Sequence, residues 1–138
     1  MAVVVTTFGA DYYARVILGI EPVQGYSVHL WVNFRTPQVN DSWPIYTECT
    51  WPGYSPFSLN PAEWTGGAQN GVATYSYPLL TFNFDASDDP QQTIYGYAVL
   101  SSDGTLLYLE SFSAPFPIPP EGGSIPMVLH WTDEQCTD

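Results

Sequence analysis

Lysine is absent from this sequence, and arginine occurs only as Arg15 and Arg35, against 14 aspartates and glutamates in 138 residues. The resulting net charge of −12 excludes an ordinary nucleic-acid binder, whose affinity rests on cations neutralising phosphates. Most carboxylates lack an internal counter-charge, so the surface repels copies of itself at long range. Cysteine is nearly as scarce. Cys49 and Cys136, with the isolated His29 and His130, are too few for a zinc site. In a chain expected to stay in a reducing compartment, the two cysteines read as free thiols rather than a disulfide.

Long apolar runs are missing as well. A stretch such as Val16 to Ile20 is far below the ~20 residues that cross a bilayer. The start, Met1 to Thr7, is apolar but has no basic segment and too short a hydrophobic core for a secretory signal. The expectation is a soluble protein made in the cytoplasm, with no membrane partner.

What the chain does contain is apolar and aromatic. Hydrophobic residues make up 45% and aromatics 16%, which excludes wholesale disorder. The length suits a single domain over residues 1–138 that buries roughly two thirds of its unfolded surface. Prolines and glycines, 13 and 11 of them, are scattered rather than clustered, so no linker divides the chain.

The periodicity is that of strands. From Ser27 to Arg35, Val28, Leu30, Val32 and Phe34 alternate with His29, Trp31, Asn33 and Arg35. Leu79 to Asp85 sets Phe82 and Phe84 against Thr81, Asn83 and Asp85, after an aromatic run from Ala73 to Tyr77 that Pro78 ends. Thr93 to Leu100 and Leu106 to Phe112 form a hairpin across Asp103-Gly104. A last strand is expected over Ser124 to Thr132. Before it, the loop from Ala114 to Gly123, with Pro115, Pro117, Pro119 and Pro120, crosses from one sheet to another.

One helix is predicted, from about Gly9 to Leu18, with Tyr12, Tyr13, Val16 and Ile17 as its apolar stripe and Gly19 as its stop. Pro37 to Gly71 reads as loops with one or two edge strands. Strands without alternating helices predict an all-β fold, an antiparallel β-sandwich of which the jelly roll is the more specific form, with one short N-terminal helix and an N-terminal arm.

Catalytic constellations are sparse. His29 and His130 sit in strand patterns beside Trp31 and Trp131, a likeness that could put both on one sheet face, and read as satisfied strand histidines rather than bases. Glu48 and Glu110 are the only acids in or beside strands that could form a glycosidase pair. Asp85, Asp88 and Asp89 could offer oxygens to calcium but lack EF-hand spacing, and read as a polar loop ended by Pro90. No phosphate loop or dinucleotide fingerprint appears. The reading is therefore a non-enzyme with no cofactor and no metal.

Trp43, Trp51 and Trp64 stand in the loop-rich middle, where they either cap the ends of the sandwich or anchor a partner. In a carbohydrate-binding or host-receptor module the same tryptophans stack on sugar rings.

Tyr12-Tyr13-Ala14-Arg15 with Ile17-Leu18-Gly19, then Gly53-Tyr54-Ser55-Pro56, Glu63-Trp64, Ile94-Tyr95-Gly96-Tyr97, Asp103-Gly104-Thr105-Leu106-Leu107 and Glu110-Ser111-Phe112 cover most of the chain. In this order they resemble small proteins of tailed bacteriophages. The resemblance implies a virion structural protein, most of all a capsid decoration (cement) protein on the capsid surface. Its partners would be the major capsid protein and copies of itself in a homo-oligomer such as a trimer. A phage tail or receptor-binding module is the alternative. The contact residues expected on this reading are Val3, Val4 and Val5 of the arm, the loop tryptophans Trp43, Trp51 and Trp64, and Phe116 and Ile118 of the proline loop. An apolar arm could add a strand to a neighbour's sheet edge.

Overall fold

The computed structural model describes residues 3–134. In chain order the elements are β1 (Val4–Val5), α1 (Thr7–Ile17), β2 (Tyr26–Trp31), β3 (Phe57–Leu59), β4 (Thr65–Gln69), β5 (Val72–Ser76), β6 (Leu80–Phe84), β7 (Thr93–Ser101), β8 (Leu106–Pro117), β9 (Gly123–Met127) and β10 (His130–Glu134). Short 3-10 turns cover Trp43–Ile45 and Pro61–Glu63. The protein is thus antiparallel β with one α-helix, as its periodicity indicates.

The strands form three sheets: five strands in the order β1-β8-β7-β2-β3, three as β10-β5-β4, and the pair β6-β9. The β7–β8 hairpin forms where Asp103-Gly104 predicts it, with Gly104 at φ 87° and Ser101 N–H donating to Thr105 O. Its ladder slips twice. Leu107 is an extra residue between the pairs Val99–Tyr108 and Leu100–Leu106, and residues 112–115 bulge out between Gly96–Ser111 and Ile94–Phe116.

Both faces of the five-stranded sheet are covered. On one, Val28, Leu30, Tyr97 and Val99 pack with Phe82, Phe84 and Ile125 of β6 and β9 and with Tyr12 of α1. On the other, Trp31, Ala98, Leu100, Leu106 and Leu109 pack with Tyr46, Val4 and Trp43. This explains why β2 buries residues of either parity beyond Val28.

Several expectations change. The first strand ends at Trp31 rather than Arg35, and Phe34 lies exposed beyond it. The last strand splits at Val128-Leu129 into β9 and β10, which join different sheets. The proline loop does cross between sheets, from β8 to β9, but its first four residues, Ala114 to Pro117, belong to β8 itself. The N-terminal arm is not free: Val4 and Val5 pair with Leu109 and Tyr108 as an edge strand.

Helix α1 is held at both ends. Thr6 caps it, its Oγ1 accepting from Gly9 N–H at 2.9 Å and donating to Leu106 O at 2.6 Å. Gly9 lies so close to β8 that a Cβ there would sit 2.0 Å from Leu107 O. At the far end Gly19, φ 72°, donates to Val16 O and Ile20 N–H reaches back to Arg15 O, the Schellman pattern.

Candidate interaction surface

The residues expected to meet a partner divide sharply. Trp51 is 3% exposed, its Nε1–H donating to Asp85 O at 2.7 Å, and Ile118 is fully buried. Both are core residues, because each sits between the five-stranded sheet and the β6-β9 pair rather than at an open end. Trp51 therefore cannot stack on a sugar. Trp64 is half-buried, its ring edge-on to Tyr77, and Phe116 is half-buried against Phe84. Trp43 is half-buried too, stacked on Tyr46 at 5.7 Å and tilted over His29. Val4 packs inward, leaving Val3 and Val5 exposed.

Among the described residues, a run of exposed apolar side chains lies elsewhere, on α1 and the turn after it. Tyr12 and Val16 face the core with Gly9, whereas Tyr13, Ile17 and Leu18 point outward, followed by Ile20 and Val23. Ile17 is 66% exposed and Leu18 71%. Ala10 and Ala14 complete the outer stripe at helical spacing. The four residues that the sequence groups as one stripe thus belong to two faces. Other exposed apolar side chains include Leu79, Val128 and Phe34, the last edge-on to Tyr95.

Charge around this surface is acidic. Arg15 is held by Glu21 at 2.9 Å and by Asp11 at 3.8 Å. Arg35 is held by Asp41 through two hydrogen bonds, at 3.0 and 2.6 Å, and Asp41 also accepts from Tyr46 OH at 2.6 Å and Gln38 N–H. The Arg35 guanidinium draws the Asp41 carboxyl down to about 2, with Tyr46 and Gln38 assisting against the cost of burial. Both arginines of the chain are thereby ion-paired internally.

One polar chain has the form of a catalytic relay. Ser27 Oγ lies 2.7 Å from His29 Nε2, His29 Nδ1 lies 2.7 Å from Glu48 Oε2, and Tyr54 OH donates to the same oxygen at 2.7 Å. Strand periodicity gives no sign of this set, since Ser27 and His29 share a strand face but Glu48 arrives from a loop 19 residues beyond His29. Acyl transfer also needs donors for a developing oxyanion. Residues 26–28 of β2 are paired on both sides, with β3 and with β7, so the backbone N–H groups flanking Ser27 are committed to the ladders. Glu48 instead closes the sheet edge past the end of β3, where Tyr54 OH accepts from Leu30 N–H. The other acid considered for glycoside chemistry, Glu110, accepts from Tyr97 OH at 3.0 Å.

His130 is in β10, so the two histidines lie in different sheets, not on one face. Among the described residues, no three His, Cys, Asp or Glu side chains converge as a metal site, and Asp85, Asp88 and Asp89 are exposed. Cys49 is buried and outside any disulfide among the described residues, its thiol pushed up by that burial; Cys136 lies outside them. No described helix is long and apolar enough to cross a membrane. No family model matches the chain, and no curated protein is detectably similar to it.

Proposed function

We propose that the chain is a non-enzymatic virion structural protein, a capsid decoration (cement) protein that binds the major capsid protein, associates with copies of itself and stabilises the shell. The observation that carries this reading is the outward apolar face of α1 on a lysine-free, acidic protein. A contiguous apolar surface exposed to water marks a contact to be made, not a monomer's finished exterior. In this reading the five-stranded sheet and the β6-β9 pair are the two layers of a β-sandwich of jelly-roll type, a rigid plate suited to spanning subunit junctions. The resemblance to phage proteins supplies the setting, the capsid surface.

Location is the test. Mass spectrometry of purified virions should find the chain in stoichiometric amounts, and particles assembled without it should break at lower temperature or lower salt. Absence from virions sinks the proposal.

A further inference from the structure

We infer that the outer face of α1, with the turn through Val23, is the docking surface, and that its occupant is an apolar groove on another protein rimmed by lysine or arginine. The inference rests on the decoration reading and adds to it the contact and the chemistry of the acceptor.

Helix α1 has more apolar surface than its own fold uses. Gly9, Tyr12 and Val16 suffice to seat it, and a helix that ended its role there would carry polar residues on the remaining arc. Instead Ala10, Tyr13, Ala14, Ile17 and Leu18 recur at the spacing by which a helix lies in a groove, the two alanines permitting close approach. Ile20 and Val23 extend the apolar surface past the helix end. The element is also ordered in advance by the Thr6 cap, the Gly9 contact and the Gly19 turn, so little conformational freedom is lost on docking.

Charge selects the occupant. Asp11 and Glu21 border the stripe, and the arginine between them already belongs to them. With one Arg15 set against two carboxylates, Arg35 held by Asp41 and no lysine in the chain, the charge this protein presents across an interface is net negative. Two copies meeting through this face would oppose like charges, which costs affinity and slows encounter. A basic rim on a different protein reverses both effects.

The experiment adds purified chain to capsids assembled without it and measures binding at rising salt. Ile17→Asp and Leu18→Asp should each weaken binding about thirtyfold, as loss of an interface anchor does; both sites are exposed, so the melting temperature should fall only by the few degrees that an acid at the helix C-terminus costs, and Ile17→Gln and Leu18→Gln, which add no charge there, should weaken binding with less effect on melting. Asp11→Lys should weaken it too, and wild-type affinity should fall as salt shortens the screening length. If wild type binds and the two aspartate variants bind equally well, or if salt has no effect, the inference fails and the decoration reading survives. If wild type ignores such capsids, the decoration reading falls, and the inference with it. Sedimentation showing a wild-type oligomer that Ile17→Asp converts to monomer would give the face to self-contact and overturn the basic-groove assignment.

Discussion

Gly96 of β7 sits directly across the ladder from Trp31 of β2, and the indole occupies the space a side chain at Gly96 would need. A Cβ there would lie 2.4 Å from Trp31 Cη2 and 2.3 Å from Glu110 O. Trp31 is fully buried, edge-on to Tyr46 at 5.0 Å, and cannot swing aside. Gly96→Ala is therefore expected to cost about 2 kcal/mol or more through overpacking. Gly67→Ala, at a position with no atom within 4 Å of the new methyl, is the matched control and should change little. Urea unfolding of the two variants checks the contrast.

Thr6 does three jobs with one hydroxyl and its own backbone. It caps α1 through Gly9 N–H, donates to Leu106 O, and its N–H donates to Leu107 O at 3.1 Å, so it pins the helix to the β8 bulge. The side chain is fully buried. Thr6→Val keeps the shape but strands a buried N–H and carbonyl, for a loss of about 2 kcal/mol. Thr6→Ser should recover most of it, since the hydroxyl, not the methyl, makes these bonds. Thermal unfolding distinguishes the two variants.

Acid should weaken the loop around Asp41. The native carboxyl is held at about 2 instead of its ordinary 3.8, chiefly by Arg35, so the folded state binds its proton more weakly than the unfolded chain. The associated stability is complete only above about pH 5 and is lost as pH falls through 3.8 toward and past about 2. Asp41→Asn should lower stability at pH 7 and flatten this part of the pH profile. Unfolding midpoints at pH 7, 4 and 2.5 for wild type and variant provide the measurement; parallel profiles would refute the assignment.

Local signals in the sequence carried the hairpin and the helix ends, because Asp103-Gly104 and Gly19 fix backbone conformations that few other residues adopt. The same kind of signal marks a second hairpin inside the stretch expected to be loops and edge strands: Asn70 and Gly71, at φ 52° and 79°, join β4 to β5. The region around them reads as loop only because Gly66, Gly67 and Ala68 blur the alternation. Burial of Trp51 was not legible, since its neighbours Pro52 and Gly53 look like an exposed turn. Only the fold brings Asp85 O to its indole. The candidate surface fell between these cases. Tyr12, Tyr13, Val16 and Ile17 announce an apolar helix, but which pair faces inward depends on where Gly9 can approach β8, a contact nearly a hundred residues away in sequence.

The imidazole of His29 offers a direct view of how loop 47–49 is fastened to β2. Cys49 N–H donates to Leu30 O and Val32 N–H to Thr47 O, which places Glu48 between them and aims its carboxylate at Nδ1. A carboxylate only accepts, so neutral His29 must carry its proton on Nδ1 and leave Nε2 to accept from Ser27. Nitrogen-detected NMR of the neutral ring should show the Nδ1–H tautomer, and Glu48→Ala should abolish that bias. The same substitution removes the acceptor of Tyr54 OH, whose ionisation burial drives upward. Losing a partly buried charged acceptor should cost about 1 to 3 kcal/mol. Ser27→Ala leaves the Glu48 contact intact and should preserve the tautomer, which locates the constraint on the loop side of the ring. An Nε2–H tautomer in wild type would show that Glu48 does not orient the ring, and that the loop is held by its backbone bonds alone.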